Sequence, residues 1–182
     1  LRINAEDMIG MSLDDDTLSK AFAEFRREVW IMSSLSHPCI VQLKGLVMDP
    51  LCVVTEFLAG GNLYEFIHDV REGSDANDIS SKVNEISWPL RVKIALDMAA
   101  GLEFLHSSHP PIIHRDLKSP NVLLIHKTNE EREVAPIVAK VTDFGLSGLA
   151  PTLAGREVDN PVWLAPEVLR EEEYTEKADV YS

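Results

Sequence analysis

Cysteine is scarce in this chain. Its two copies, Cys39 and Cys52, stand apart in apolar stretches without metal-ligand spacing, and read as small buried hydrophobes in a reducing, cytoplasmic setting. No apolar run approaches the ~18 residues of a membrane span, and no signal peptide opens the chain. Basic residues are also few. Seventeen against 30 acidic ones give a formal charge of −13, which repels phosphate backbones and anionic lipid, so neither nucleic acid nor a membrane surface is an expected partner. The acid gathers at Asp14 to Asp16, Glu130 to Glu133 and Glu171 to Glu173, runs that read as solvated loops or helix ends. No internal repeat is visible.

What is present is an ordinary globular composition, 45% hydrophobic and 26% charged, in a length that can bury one core. Leu1 to Ile3 reads as the tail of a strand. Leu18, Phe22, Phe25, Val29 and Met32 recur at spacings of four and three, one stripe of a helix whose start suits the preceding acids. Ile40 to Val47 and Leu51 to Phe57 read as strands joined by an Asp49-Pro50 turn. Gly60-Gly61 breaks the chain before an amphipathic segment, Asn62 to Val70. Arg71 to Glu85 is polar and reads as a surface insertion. Ser87-Trp88-Pro89 carries a cap and an early proline, and Val92, Ala95, Ala99, Leu102 and Leu105 are expected on the buried face of the helix that follows. His126 to Pro136 reads as a solvent-exposed excursion.

The chemistry centres on His114-Arg115-Asp116-Leu117-Lys118-Ser119-Pro120-Asn121, a polar loop running into apolar Val122 to Ile125. Loops on rigid scaffolds are where chemistry is usually held. Asp143-Phe144-Gly145 follows the strand-like Ile137 to Val141, and Ala165-Pro166-Glu167 closes the set.

In this order the three motifs resemble the protein kinase superfamily. The strings HRDLKSPNVLL and PVWLAPEVL resemble the tyrosine-kinase-like group. FAEFRREVWIMSSLSHPCIVQLKGL, Pro110-Pro111, the insertion before AKVTDFGLSGL, and YTEKADVYS are similar to Roco kinases, relatives of leucine-rich-repeat kinases.

The resemblance implies an α+β, two-lobed fold, with 1–58 the remainder of the small lobe and 59–182 the hinge exit and part of the helical lobe. It implies ATP and Mg2+ as cofactors and serine/threonine hydroxyls of proteins as acceptors. Asp116 would orient the hydroxyl, Lys118 would meet the γ-phosphate, and Asn121 and Asp143 would hold magnesium. Glu28 would be the acidic partner of a phosphate-binding lysine. Thr55 would be a small gatekeeper, Glu56 and Leu58 would offer backbone groups to adenine, and Leu123 would lie beneath it; side-chain identity at the hinge is expected to matter little.

Met32, Leu43, His114 and Phe144 resemble a packed spine with Asp179 anchoring its base. Arg115 implies an activation segment ordered by phosphorylation, with Ser147 and Thr152 as the candidate hydroxyls. Asp159-Asn160 departs from the usual Gly-Thr, leaving Asn160 near Asp116.

A glycine-rich phosphate loop and a strand lysine are not in the sequence. The expectation is an internal piece of a kinase domain, marginally stable and inactive alone, from a larger signalling protein with a GTPase module. The alternative is a pseudokinase or nucleotide-binding scaffold, for which that absence would be genuine.

Overall fold

The computed structural model describes residues 15–68, 86–126, 139–149 and 161–182. The expectations for Leu1 to Ile3, Arg71 to Glu85, most of His126 to Pro136, Thr152 and Asn160 lie outside them. The architecture is α+β, with small strand pairs set among helices.

Helix α1 spans Asp15–Ser34. It buries Phe25, Ile31, Met32 and, just past its end, Leu35, a stripe at helical spacing. Phe22 belongs to the expected stripe but is 48% exposed, because the core contacts gather towards the C-terminal half. Strands β1 (Leu43–Met48) and β2 (Leu51–Thr55) form an antiparallel hairpin across Asp49-Pro50, with an irregularity between Leu43 and Gly45. Both are shorter than their apolar runs. Ile40 makes an isolated bridge to Val141, and Glu56 to Leu58 leave the ladder.

Helix α2 spans Leu63–His68 and α3 spans Trp88–His106. Ser87 caps α3 as expected, its hydroxyl accepting from Leu90 N–H at 3.3 Å. The buried face of α3 is only partly the expected one: Leu102 and Leu105 turn inward as expected, together with Leu90, Ile94, Asp97 and Gly101, while Val92, Ala95 and Ala99 are exposed. Apolar residues ring this helix, so counting them gives no direction. Contact geometry selects the face instead. Gly101 lets α3 lie so close to Cys39, Ile40 and Val141 that an added Cβ would sit 3.0 Å from the Cys39 carbonyl oxygen. Asp97 is buried because its Oδ2 accepts the Ala139 N–H at 3.1 Å and its Oδ1 pairs with Lys93 at 2.5 Å.

The remaining elements are β3 (Ile112–Ile113), a 3-10 turn at Ser119–Asn121, β4 (Val122–Leu124), β5 (Ala139–Val141), β6 (Gly148–Leu149), a second 3-10 turn at Pro161–Trp163, α4 (Pro166–Leu169) and α5 (Lys177–Tyr181). β3 pairs with β6 and β4 with β5, both antiparallel. One core cluster joins Ile31, Met32, Leu35, Ile40, Val141 and Phe144 to Leu102 and Leu105, and a second lies between α2, α3 and the β4/β5 pair. The polar loop 114–121 and Asp143 are thereby mounted on buried strands. Among the described residues, no helix is long and apolar enough to cross a membrane.

Candidate active site

The loop after β3 is fixed from below. Asp179, 1% exposed on α5, accepts the backbone N–H of His114 and of Arg115 at 2.8 Å each, and the His106 ring N–H at 2.8 Å. It anchors the loop as expected. Arg115 can therefore hold a left-handed backbone, φ 70°, a conformation that is costly for a non-glycine residue unless its surroundings impose it. The His114 ring donates through Nε2 to the Thr142 carbonyl at 2.9 Å and accepts the Asp116 N–H through Nδ1 at 3.2 Å. Its ring lies 5.3 Å from that of Phe144, and Met32 and Leu43 join the same packing.

Three of the expected polar residues meet directly. Asn121 Nδ2 donates to the Asp116 carbonyl at 2.8 Å and to its carboxylate at 3.0 Å, and Lys118 Nζ lies 2.7 Å from Asp116 Oδ2. Thr142 N–H donates to the Asn121 carbonyl at 3.0 Å. With the His114 bond, this ties the residue before Asp143 to the loop from both of its backbone groups. Asp143 is also left-handed, φ 67°, and its Oδ1 accepts the Gly145 N–H at 3.3 Å.

Glu28 faces this corner. Its Oε2 lies 3.9 Å from where a Cβ on Gly145 would stand, and burial first, then the Asp143 charge, push its carboxyl above the usual glutamate value. Among the described residues no cation pairs with it.

At the expected hinge the main-chain groups of Glu56 and Leu58 are partly unbonded, and the expectation that side-chain identity matters little there is corrected. Glu56 N–H donates to the Gln42 carbonyl at 3.0 Å, so of the two main-chain groups of Glu56 it is the carbonyl that a ligand would meet. That carbonyl and both main-chain groups of Leu58 form no hydrogen bond among the described residues, and Phe57 projects outward, 89% exposed. Thr55, at the end of β2, is exposed, and Leu123 on β4 is half-buried. The Glu56 side chain is not idle: Oε1 accepts from Lys140 Nζ at 2.6 Å and from Gln42 N–H at 2.8 Å. Lys140 and Gln42 escaped sequence reasoning; the alternation Ala139-Lys140-Val141 marks a side chain opposite the core but names no partner.

Ser147 is corrected too. It is fully buried, donating to the His114 carbonyl at 3.2 Å, so in this conformation it braces the loop and is out of reach of a phosphate donor.

No cluster of three or more His, Cys, Asp or Glu suited to a metal occurs among the described residues. Magnesium is commonly bound through one or two protein oxygens completed by substrate phosphates and water. Asp143 offers a carboxylate. Asn121 donates through its nitrogen, which leaves its amide oxygen for a cation, so the residues present fit. A groove of about 310 Å³ beside Lys118 and Ser119 is lined further by Tyr64, His68 and Trp163.

The family model described as "Protein tyrosine and serine/threonine kinase" matches residues 8–182. The chain belongs to the protein kinase family. Among its relatives, the "Probable serine/threonine-protein kinase pats1" of Dictyostelium discoideum is 54% identical over 94% of this chain. From the same organism, "Probable serine/threonine-protein kinase roco9" is 47% identical over 90%, and "Probable serine/threonine-protein kinase roco5" 43% over 92%. The chain spans only 5%, 4% and 5% of these three proteins' own lengths. It is Roco-like, and the kinase fold accounts for its arrangement of small strand pairs and helices.

Proposed function

We propose that the protein carrying this chain transfers the γ-phosphoryl group of ATP to serine or threonine hydroxyls of other proteins. The observation that carries the reading is the Asp116–Lys118–Asn121 cluster, held within 3.0 Å contacts and joined through Thr142 to Asp143. Such chemistry needs positioning and charge stabilisation more than covalent help.

In this reading Asp116 accepts or orients the acceptor's hydroxyl proton as oxygen attacks the γ-phosphorus and the bond to the ADP oxygen breaks. Lys118, now paired with Asp116, moves its ammonium to the phosphoryl oxygens. Asn121 and Asp143 supply hard oxygens for Mg2+, which when bound neutralises phosphate charge. The unbonded hinge groups at Glu56 and Leu58 take the adenine edge over Leu123, behind the small Thr55. Glu28 pairs with a lysine of the same kinase domain. The groove beside Lys118 and Ser119 receives the polypeptide. Residues 1–58 and 59–182 contribute to the small and helical lobes. The parent in this reading is a larger cytoplasmic signalling protein with a GTPase module in the same chain; what supports its size is that the chain spans only 4–5% of the pats1, roco9 and roco5 relatives.

In the full-length protein, Asp116→Asn should lower transfer of labelled phosphate to a serine-containing protein by about 10²–10⁴-fold while ATP still binds. Transfer that survives the substitution removes Asp116 from the mechanism. A wild-type protein that binds ATP but transfers nothing is a scaffold.

A further inference from the structure

Lys140 has no part in the chemistry above, yet it is held in the site. Its side chain is 15% exposed and that of Glu56 21%, and they meet at 2.6 Å although 84 residues separate them. The same Glu56 oxygen takes the Gln42 N–H, and Glu56 N–H returns a bond to the Gln42 carbonyl. Three bonds therefore converge on the residue whose carbonyl faces outward for a ligand. Gln42 extends the network, its amide lying 3.5 Å from the Leu35 carbonyl just beyond α1.

Strand geometry explains why Lys140 can reach so far. Ala139 and Val141 are fully buried, so the alternation of β5 turns Lys140 to the opposite face. In register it pairs with Leu123, and Asp143 follows three residues later. Lys140 thus touches the hinge through its side chain and the Leu123 strand through its backbone.

We infer that the Lys140–Glu56–Gln42 clasp is a positioning device for the nucleotide base, fixing the hinge backbone against the Leu123 strand so that Lys140 sets ATP affinity without touching ATP. This rests on reading residues 56–58 as the adenine-binding edge. A solvated surface pair would contribute little, but here the ion pair is largely out of water and supplemented by a backbone donor, conditions under which charge-assisted bonds hold geometry. Burial alone would raise the Glu56 carboxyl; the Lys140 and Gln42 hydrogen bonds and the charges of Lys140 and Lys44 overcome it and hold the group below its usual value. A depressed carboxylate keeps the clasp closed above the usual glutamate range and releases it only as pH falls through its lowered value.

The test uses the full-length protein with three variants: Lys140→Met, which keeps the stem and removes the charge; Lys140→Arg, which keeps the charge; and Glu56→Gln, which keeps an acceptor for Gln42 N–H. ATP dissociation constants are measured apart from turnover. Lys140→Met and Glu56→Gln should each weaken ATP binding and raise the ATP KM about five- to tenfold, with kcat within about twofold. Lys140→Arg should stay near wild type, and the double variant Lys140→Met/Glu56→Gln should be no worse than either single one.

Unchanged ATP affinity in folded Lys140→Met or Glu56→Gln overturns the clasp, as does a rise in kcat at unchanged affinity, which would make the pair a restraint. A fall in kcat and melting temperature with ATP affinity intact overturns it in favour of a merely structural pair. Glu56→Gln decides alone if Lys140→Met fails to fold. Wild-type binding of ATP without transfer would sink the proposed function and leave the clasp standing on affinity; no ATP binding at all would sink both.

Discussion

At the scale of single residues, the site works by imposing unfavourable states on a few side chains and compensating them nearby. Glu28 is a case where the described residues offer no compensation: a half-buried carboxylate beside Asp143. Its raised pKa means the fold prefers the protonated form. No penalty from this group exists below about pH 4.3, the ordinary glutamate value, and one grows as pH rises through the raised value. Glu28→Gln should therefore raise the melting temperature of the 182-residue chain at pH 7 and have no effect near pH 4. A melting temperature lowered at pH 7 would mean that Glu28 has a cationic partner in the chain. That Asp116 and Asn121 share one loop with Asp143 close by was legible through the kinase-like order of the motifs, and the structure sets Asn121 against Asp116 and bonds it to the residue before Asp143. The Glu56 side chain was not legible, because its partners, Gln42 and Lys140, are fixed by the fold and by no local spacing.

At the scale of elements, the helices announced themselves through caps and periodicity, and the strands through apolar runs that the structure trims where the ladder ends. Ser87 marked the start of α3, but of its inward face only Leu102 and Leu105 were legible, because that face includes charged Asp97 and Gly101, which hydrophobicity alone would place outside. Ser147 was misjudged for a related reason. A hydroxyl near Asp143 reads as an exposed acceptor until β6, pairing with β3, pulls it under the loop. The glycine break before α2 has a steric cause as well as a hinge-like look. Gly60 N–H donates to the Leu124 carbonyl at 2.9 Å and Leu124 N–H to the Gly61 carbonyl at 2.8 Å. A Cβ on Gly60 would press on that Leu124 oxygen and come within 2.6 Å of the His126 carbonyl oxygen. Gly60→Ala should therefore cost about 1–3 kcal/mol in chemical denaturation, whereas a change under 0.5 kcal/mol would show that this stretch can move away from β4 freely.

At the scale of the whole molecule, polar side chains with buried anchors tie together elements distant in sequence. Asp179 on α5 reaches the loop at 114–115, and Asp97 on α3 reaches β5. The family was legible from the three motifs. The network of tethers was not, since each depends on the final packing of segments dozens of residues apart. One such junction contains a thiol. Cys39 is buried where Gly101 brings α3 against the chain, and burial first, then the Asp97 charge, push its pKa up. Thiolate is the form that reacts with alkylating reagents, so Cys39 is doubly protected, while half-buried Cys52 is the more accessible of the two. Maleimide at neutral pH should modify Cys52 first and Cys39 only as denaturant is added; equal rates would mean that α3 does not seal the junction. The slow cysteine is thus a built-in clock for separation of the two packed surfaces, readable by mass without adding a probe.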